Sequence, residues 1–167
     1  TGDPVAKKAA VDAYVTYVKG EADKLIADVT AFTTAVKAND LTQAKALFAT
    51  ARSHYETIEP IAESFGDLDP AIDARDGDVP AGEWTGFHKI EKSLWVDNTT
   101  SGLTTVADKL LADVKALRTK IDTVELEPAT IANGAVELLN EVSASKITGE
   151  EERYSHTDLY DFDANLA

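Results

Sequence analysis

His88 and Glu91 stand three residues apart in Phe87-His88-Lys89-Ile90-Glu91, so a helix through them carries an imidazole and a carboxylate on one face. A nitrogen and an oxygen donor side by side are the beginning of a site for a divalent or trivalent cation. By itself the pair is equally an exposed helix contact. Its neighbours sharpen the reading: Trp84, His88, Glu91 and Trp95 follow steps of four, three and four, so the two polar residues share a stripe with both tryptophans of the chain. A carboxylate on an interior stripe needs a cation or hydrogen-bond donors, which leaves metal ligation and an internal salt bridge as the two readings. A second i,i+3 pair, Glu56 and Glu59, precedes Pro60, and Glu63 continues the line. Pairs of this kind are common on solvated helix faces. Asp73 lies in an acidic segment with Arg75 nearby as a neutralising cation.

Several other chemistries have no residues to carry them. Cysteine is absent, which removes disulfides, thiolate zinc sites and a thiol nucleophile. No His-Glu-x-x-His occurs, against a zincin-type peptidase, and no histidine has a glutamate three residues before it, against a ferritin-like di-iron oxidase. The chain has no Gly-x-Ser-x-Gly and no glycine-rich phosphate loop.

The elements that must position these residues read as helices. Asp3-Pro4 opens the first, and Val11, Val15, Val18, Ala22, Leu25, Val29, Phe32 and Val36 form its apolar stripe. Asn39-Asp40 ends it, and Asp40 with Gln43 reads as a capping box for a second helix that Pro60 bends and Gly66 closes. Residues 66 to 83 predict an acidic loop with one helical turn near Pro70–Ala74. A short helix from about Trp84 to Val96 carries His88 and Glu91. A fourth helix runs from Leu103 to Val124. A fifth opens at Glu127-Pro128, with Ile131, Ala135, Leu138, Leu139 and Val142 inward. The segment from Glu150 onward places Leu159, Phe162 and Leu166 at helical spacing. No segment alternates with period two, so the expected fold is an all-α antiparallel bundle forming a single domain over residues 1–167.

Sixteen Lys and Arg stand against thirty Asp and Glu in 167 residues, a net charge of −14, and 44% of residues are hydrophobic. That apolar fraction supports a packed core and excludes an acidic disordered tail. The charge argues against nucleic acids and anionic membranes, and for metal ions or a basic protein surface as partners. Six acids fall between Gly66 and Glu83, directly ahead of the His88 helix, which reads as a funnel for a cation. No apolar run approaches the roughly 20 residues of a transmembrane helix. The absence of Met, with Thr1 as first residue, fits removal of an export signal.

Glu83-Trp84-Thr85-Gly86-Phe87-His88-Lys89-Ile90-Glu91-Lys92-Ser93-Leu94-Trp95 resembles the signature of the imelysin-type family, and within it the helical domain of EfeO-type iron-uptake proteins. Two further blocks carry the same resemblance: Arg52 to Arg75, with Tyr55-Glu56, Ile58-Glu59-Pro60 and Ile72-Asp73-Ala74-Arg75, and Glu152-Arg153-Tyr154-Ser155-His156-Thr157-Asp158-Leu159. The resemblance implies an extracytoplasmic iron-binding component, periplasmic or at the cell surface, that works with a membrane iron permease and a haem peroxidase. It implies a metal site of His88, Glu91, Glu56, Glu59 and Asp73 for Fe3+ or Fe2+, a hard ligand set that also accommodates Zn2+ or another divalent cation. His156 is not carried over as a ligand. A metallopeptidase and a ferroxidase-coupled binder are the alternative activities. The resemblance departs in two respects: no cupredoxin-like domain precedes the helical one, and the family's helical domain continues past the Tyr-Ser-His block. The expectation is therefore a partial imelysin-like domain whose remaining bundle packs on Leu159, Phe162 and Leu166.

Overall fold

A computed structural model describes residues 4–124, 127–144, 146–149 and 151–166. Its helices are α1 (Pro4–Lys37), α2 (Leu41–Ala62), α3 (Leu68–Asp73), α4 (Phe87–Trp95), α5 (Thr104–Thr123), α6 (Pro128–Ala144) and α7 (Asp158–Asn165). Short 3-10 turns occupy Glu63–Phe65 and Lys146–Thr148, and no strand occurs among the described residues. The Asp3 cap and the segment start at Glu150 lie outside the described residues.

The apolar stripe of α1 is buried from Val18 to Val36, against α2 on one side and α5 on the other. Lys37–Asp108, Arg118–Asp23 and Lys19–Asp122 pairs link the end and the middle of α1 to opposite ends of α5, which makes the two helices antiparallel. At the α1–α2 turn Asn39 takes a positive φ of 59° and Asp40 Oδ1 accepts from the Gln43 backbone N–H at 2.9 Å. The Asp40 N–H donates to the Ala35 carbonyl at 3.0 Å, closing the end of α1. α2 runs through Pro60 to Ala62, and Gly66, at φ 62°, ends the following turn. α6 crosses close to Pro60: a Cβ on Gly134 would lie 3.2 Å from the Pro60 carbonyl oxygen.

Four aromatic rings join α1, α2 and α4. Phe87 lies with its centroid 6.3 Å from Phe32 and 6.3 Å from Phe48, and Trp95 packs edge-on to Phe48 at 5.3 Å. This cluster fixes one face of α4 to the core, so the His88 and Glu91 face is directed at α2.

Three sequence expectations change. α4 begins at Phe87 rather than Trp84, because Gly86 turns the chain there. Its φ is 86°, and a Cβ would lie 2.1 Å from the Ile72 carbonyl oxygen, so only glycine fits. Trp84 therefore sits before the helix and anchors the turn by donating its indole N–H to the Ala74 carbonyl at 2.7 Å. In α6, Ala135 is exposed and Leu139 is 56% exposed, because the helix packs on α2 and on the Lys146–Thr148 turn and not into a closed core. In α7, Leu159 and Leu166 are 79% and 70% exposed and Phe162 is half-buried, while Asp161 is buried. The helix lies on α2 with Asp161 and Asn165, one turn apart, facing inward.

Candidate metal centre

The polar centre lies where α2, α3, α4 and residues 151–161 meet. α2 contributes Arg52 and Glu56 at i,i+4, both buried beneath the helix face next to Tyr55. α3 ends at Asp73, α4 brings His88 and Glu91, the turn after residue 150 brings Glu151 and Glu152, and α7 brings Asp161. Glu56, His88, Glu91, Glu151, Glu152 and Asp161 are all buried. Donor atoms from these residues fall into three groups whose members lie within 4.8 Å of one another: Asp73, His88 and Glu151; His88, Glu91 and Glu152; and Glu56, Glu151 and Asp161.

Arg52 is the cation at the middle of this cluster. Its guanidinium forms close ion pairs with Asp73, Glu56 and Glu152, and Nη2 lies 3.7 Å from both Glu151 and Asp161. Nη1 is also 3.2 Å from His88 Nε2. The ring of Phe87 lies beside the guanidinium, 5.8 Å from centroid to Cζ. Burial opposes the charge on Arg52, but the surrounding carboxylates, Asp73 foremost, hold its pKa well above the usual guanidinium range.

His88 is oriented by Glu91. Its Nδ1 is 2.9 Å from Glu91 Oε2, while Glu91 Oε1 accepts from the backbone N–H groups of Tyr154 and Ser155 at 3.0 and 2.8 Å and from the Ser155 hydroxyl at 2.9 Å. Burial disfavours the Glu91 charge, yet the His88 contact and the Ser155 donors hold its pKa below the usual carboxylate value. Burial and the Arg52 charge resist protonation of His88, whereas Glu91, Asp73 and Glu152 favour it enough to raise its pKa. The guanidinium can only donate, so it bonds to Nε2, 3.2 Å away, when the ring is neutral with Nδ1–H given to Glu91. That tautomer, with a carboxylate behind it, is the form in which histidine binds metals.

The turn at 151–158 is internally tied. Ser155 Oγ lies 3.0 Å from Glu152 Oε2, Thr157 Oγ1 donates to the same oxygen at 3.2 Å, and the Glu152 backbone N–H donates to Asp158 Oδ1 at 3.1 Å. From α7, Asn165 donates to Glu56 Oε2 at 3.2 Å. Six carboxylates thus face one guanidinium and one imidazole. Asp161 shows the excess: Oδ2 is buried without a hydrogen-bond partner, and burial together with Glu56, Glu152 and Glu151 pushes its pKa up to about 11, against the pull of Arg52.

One side of the cluster opens to solvent through a cleft of about 170 Å³ lined by Glu59, Glu63, Asp69, Asp73, Asp78 and Glu151, with Arg75 as its cation. Asp73 and Glu151 belong both to this cleft and to the buried groups. The residues singled out from the sequence therefore divide. His88, Glu91, Glu56 and Asp73 converge, while Glu59 lies on the cleft wall outside the three groups. Of the six acids between Gly66 and Glu83, Asp73 alone belongs to those groups. Asp69 accepts from the Tyr55 hydroxyl at 2.5 Å, Asp76 from Lys92 at 2.5 Å and from the Tyr154 hydroxyl at 3.0 Å, and Asp78 from the Arg75 N–H at 2.9 Å. Arg75 neutralises Asp78, and His156, exposed at φ 58°, faces away.

Sequence reasoning missed Arg52, Glu151, Glu152 and Asp161. Arg52 and Glu152 each begin one of the blocks that carry the family resemblance, a signal that pointed at them without giving a role.

The imelysin family's sequence profile matches residues 10–167. The chain is 51% identical over 161 residues to the iron uptake system component EfeO of Escherichia coli O1:K1 / APEC. It is 50% identical to the proteins of that name from Escherichia coli strain K12 and Shigella flexneri. Each alignment covers 94% of this chain and 43% of the relative, so the chain spans less than half the length of these relatives. By profile and by identity, the chain belongs to the imelysin family.

Proposed function

We propose that the chain is the ion-binding helical domain of an extracytoplasmic iron-uptake component, which takes Fe(III) or Fe(II) as cargo and passes it to a membrane permease. The observation that carries this reading is a buried cluster of six carboxylates and one oriented imidazole at the base of an acidic cleft, in a chain half identical to EfeO. Carboxylate oxygens with a single imidazole nitrogen are hard donors that match iron and exclude soft thiophilic metals. His88, Asp73 and Glu151 form the group nearest solvent and are the first ligands an ion entering from the cleft would meet. Glu91, with both oxygens engaged, fixes the ring of His88. Glu59 and Glu63, on the wall of the cleft, attract the cation toward it. No helix of the described residues is long and apolar enough to cross a membrane, in keeping with a binding component separate from the permease.

The test is titration with ferrous iron under anaerobic conditions and with ferric citrate, read by calorimetry and melting temperature. Binding to the folded state alone raises the melting temperature with ion concentration. His88→Ala combined with Glu91→Ala should abolish the rise. An unchanged melting temperature in the wild type, or wild-type affinity in the double variant, rejects the reading.

A further inference from the structure

Each of the three groups of candidate ligands has a member within 4 Å of the Arg52 guanidinium. The positive charge therefore already sits at the point on which the donor atoms converge. Its Nη1 engages His88 Nε2 and Asp73 Oδ1, two of the three atoms nearest the cleft. A purely structural buried arginine is matched to the acids around it. Here five carboxylates surround one guanidinium, and Asp161 Oδ2 has no hydrogen-bond partner. Even with Asp161 holding a proton, Asp73, Glu56, Glu151 and Glu152 outnumber one unit charge, whereas a divalent or trivalent ion adds two or three at the same place.

We propose that Arg52 is a tethered placeholder for the cargo ion, holding the ligand cluster together when no ion is present and releasing His88 Nε2 and Asp73 from its Nη1 when one enters. The proposal rests on the ion-binding reading above and adds to it that the protein carries its own competitor. Placeholder and ion then repel each other across a few ångströms of buried space, so the resident charge weakens ion binding while it stabilises the ion-free fold. The cost of gathering six carboxylates is met by arginine before loading and by the ion afterwards. Release of the ion to an acceptor is correspondingly easier, because Arg52 remains attached and returns.

The sign of this effect separates it from a scaffold role, in which removing Arg52 would simply spoil the site. Wild type, Arg52→Gln and Arg52→Lys are titrated with ferrous iron anaerobically, and melting temperatures are recorded without and with saturating iron. Arg52→Gln should bind about tenfold tighter or more than wild type, since the competing charge is gone. It should melt well below wild type without iron, with the gap closing at saturation. Arg52→Lys, which keeps the charge, should retain an affinity near that of wild type. If Arg52→Gln is unfolded without iron but folds on adding it, the ion has replaced the guanidinium and the proposal stands. Equal or weaker binding by Arg52→Gln that is folded without iron, or failure to fold at saturating iron, overturns the placeholder while leaving the ion-binding reading intact. Absence of any iron response in wild type and Arg52→Gln alike removes both.

Discussion

The two halves of this molecule are held together by opposite means. Where α1, α2, α4 and α5 meet, Leu25, Val29, Phe32, Phe48, Phe87, Leu110 and Leu117 are fully buried, and the stabilisation comes from removing apolar surface from water. A few ångströms away, across Tyr55 and Phe87, the interior is made of Arg52, His88 and six carboxylates. Taking those charges out of water costs stability that their mutual pairing recovers only in part, since acids outnumber cations. The apolar half is a scaffold of mutually packed apolar side chains. The polar half is held in place by that scaffold, and on the proposed reading its excess of carboxylates is what attracts a cation.

Phe87 belongs to both halves, packing on Phe32 and Phe48 on one side and lying beside the Arg52 guanidinium on the other. Phe87→Ala should cost about 3–5 kcal/mol of stability, and saturating ion should not restore it, because the loss is in the scaffold. Denaturant unfolding with and without iron checks this; full restoration by iron would mean that the halves are not separable. Gly86→Ala comes next, at roughly 2–3 kcal/mol, since its positive φ and its contact with the Ile72 carbonyl both exclude a Cβ. By shifting the start of α4 it should also weaken iron binding, which calorimetry on the folded variant would reveal.

A smaller and opposite effect is expected inside the polar half. Asp161→Asn removes a carboxyl that already lies among acids without a hydrogen-bond partner on Oδ2. The ion-free protein should change by less than about 1 kcal/mol, in either direction, while the rise in melting temperature with iron shrinks. A large loss in the ion-free state would show that Asp161 is an essential partner of Arg52. The smallest effect belongs to Glu21, a buried residue of α1 outside the polar cluster. Glu21 accepts from Lys24 at 2.7 Å and lies 2.7 Å from His54 Nδ1. Burial would raise its pKa, but these partners outweigh burial and lower it. A lowered folded-state pKa contributes stability above the unfolded value of about 4.3, lost as pH falls through the folded pKa. Glu21→Gln should therefore cost under about 1 kcal/mol at pH 7, and its difference from wild type should shrink as pH falls below the unfolded value and vanish below the folded-state pKa.

Much of this arrangement was legible in the sequence for local reasons. The stripes of α1, α2 and α5 follow from apolar residues recurring at three and four, and the Asp40 cap from a side chain that reaches the N–H three residues on. His88 and Glu91 touch because they are one helical turn apart, as are Arg52 and Glu56. The α4 boundary was misread because aromatic spacing continued the helical period through Gly86, while the reason for the break is a carbonyl of α3 fourteen residues back. The inward stripe assigned to α6 and the apolar face assigned to α7 failed for a related reason. Periodicity identifies a face without saying which surface receives it, and α7 turns Asp161 and Asn165 to α2.

What the sequence determined by itself is the all-α class, the helix stripes and the His88–Glu91 contact, since each depends on residues within a few turns of one another. The tertiary structure alone decided the rest. It made Arg52 the cation of the cluster and drew Glu151, Glu152 and Asp161 into it from about a hundred residues away. It also tied Asp69 and Asp76 of the acidic segment to Tyr55 and Lys92 and left Glu59 on the cleft wall. A carboxylate's role is set by which charge it is buried beside, and that neighbour is chosen by the packing of distant helices.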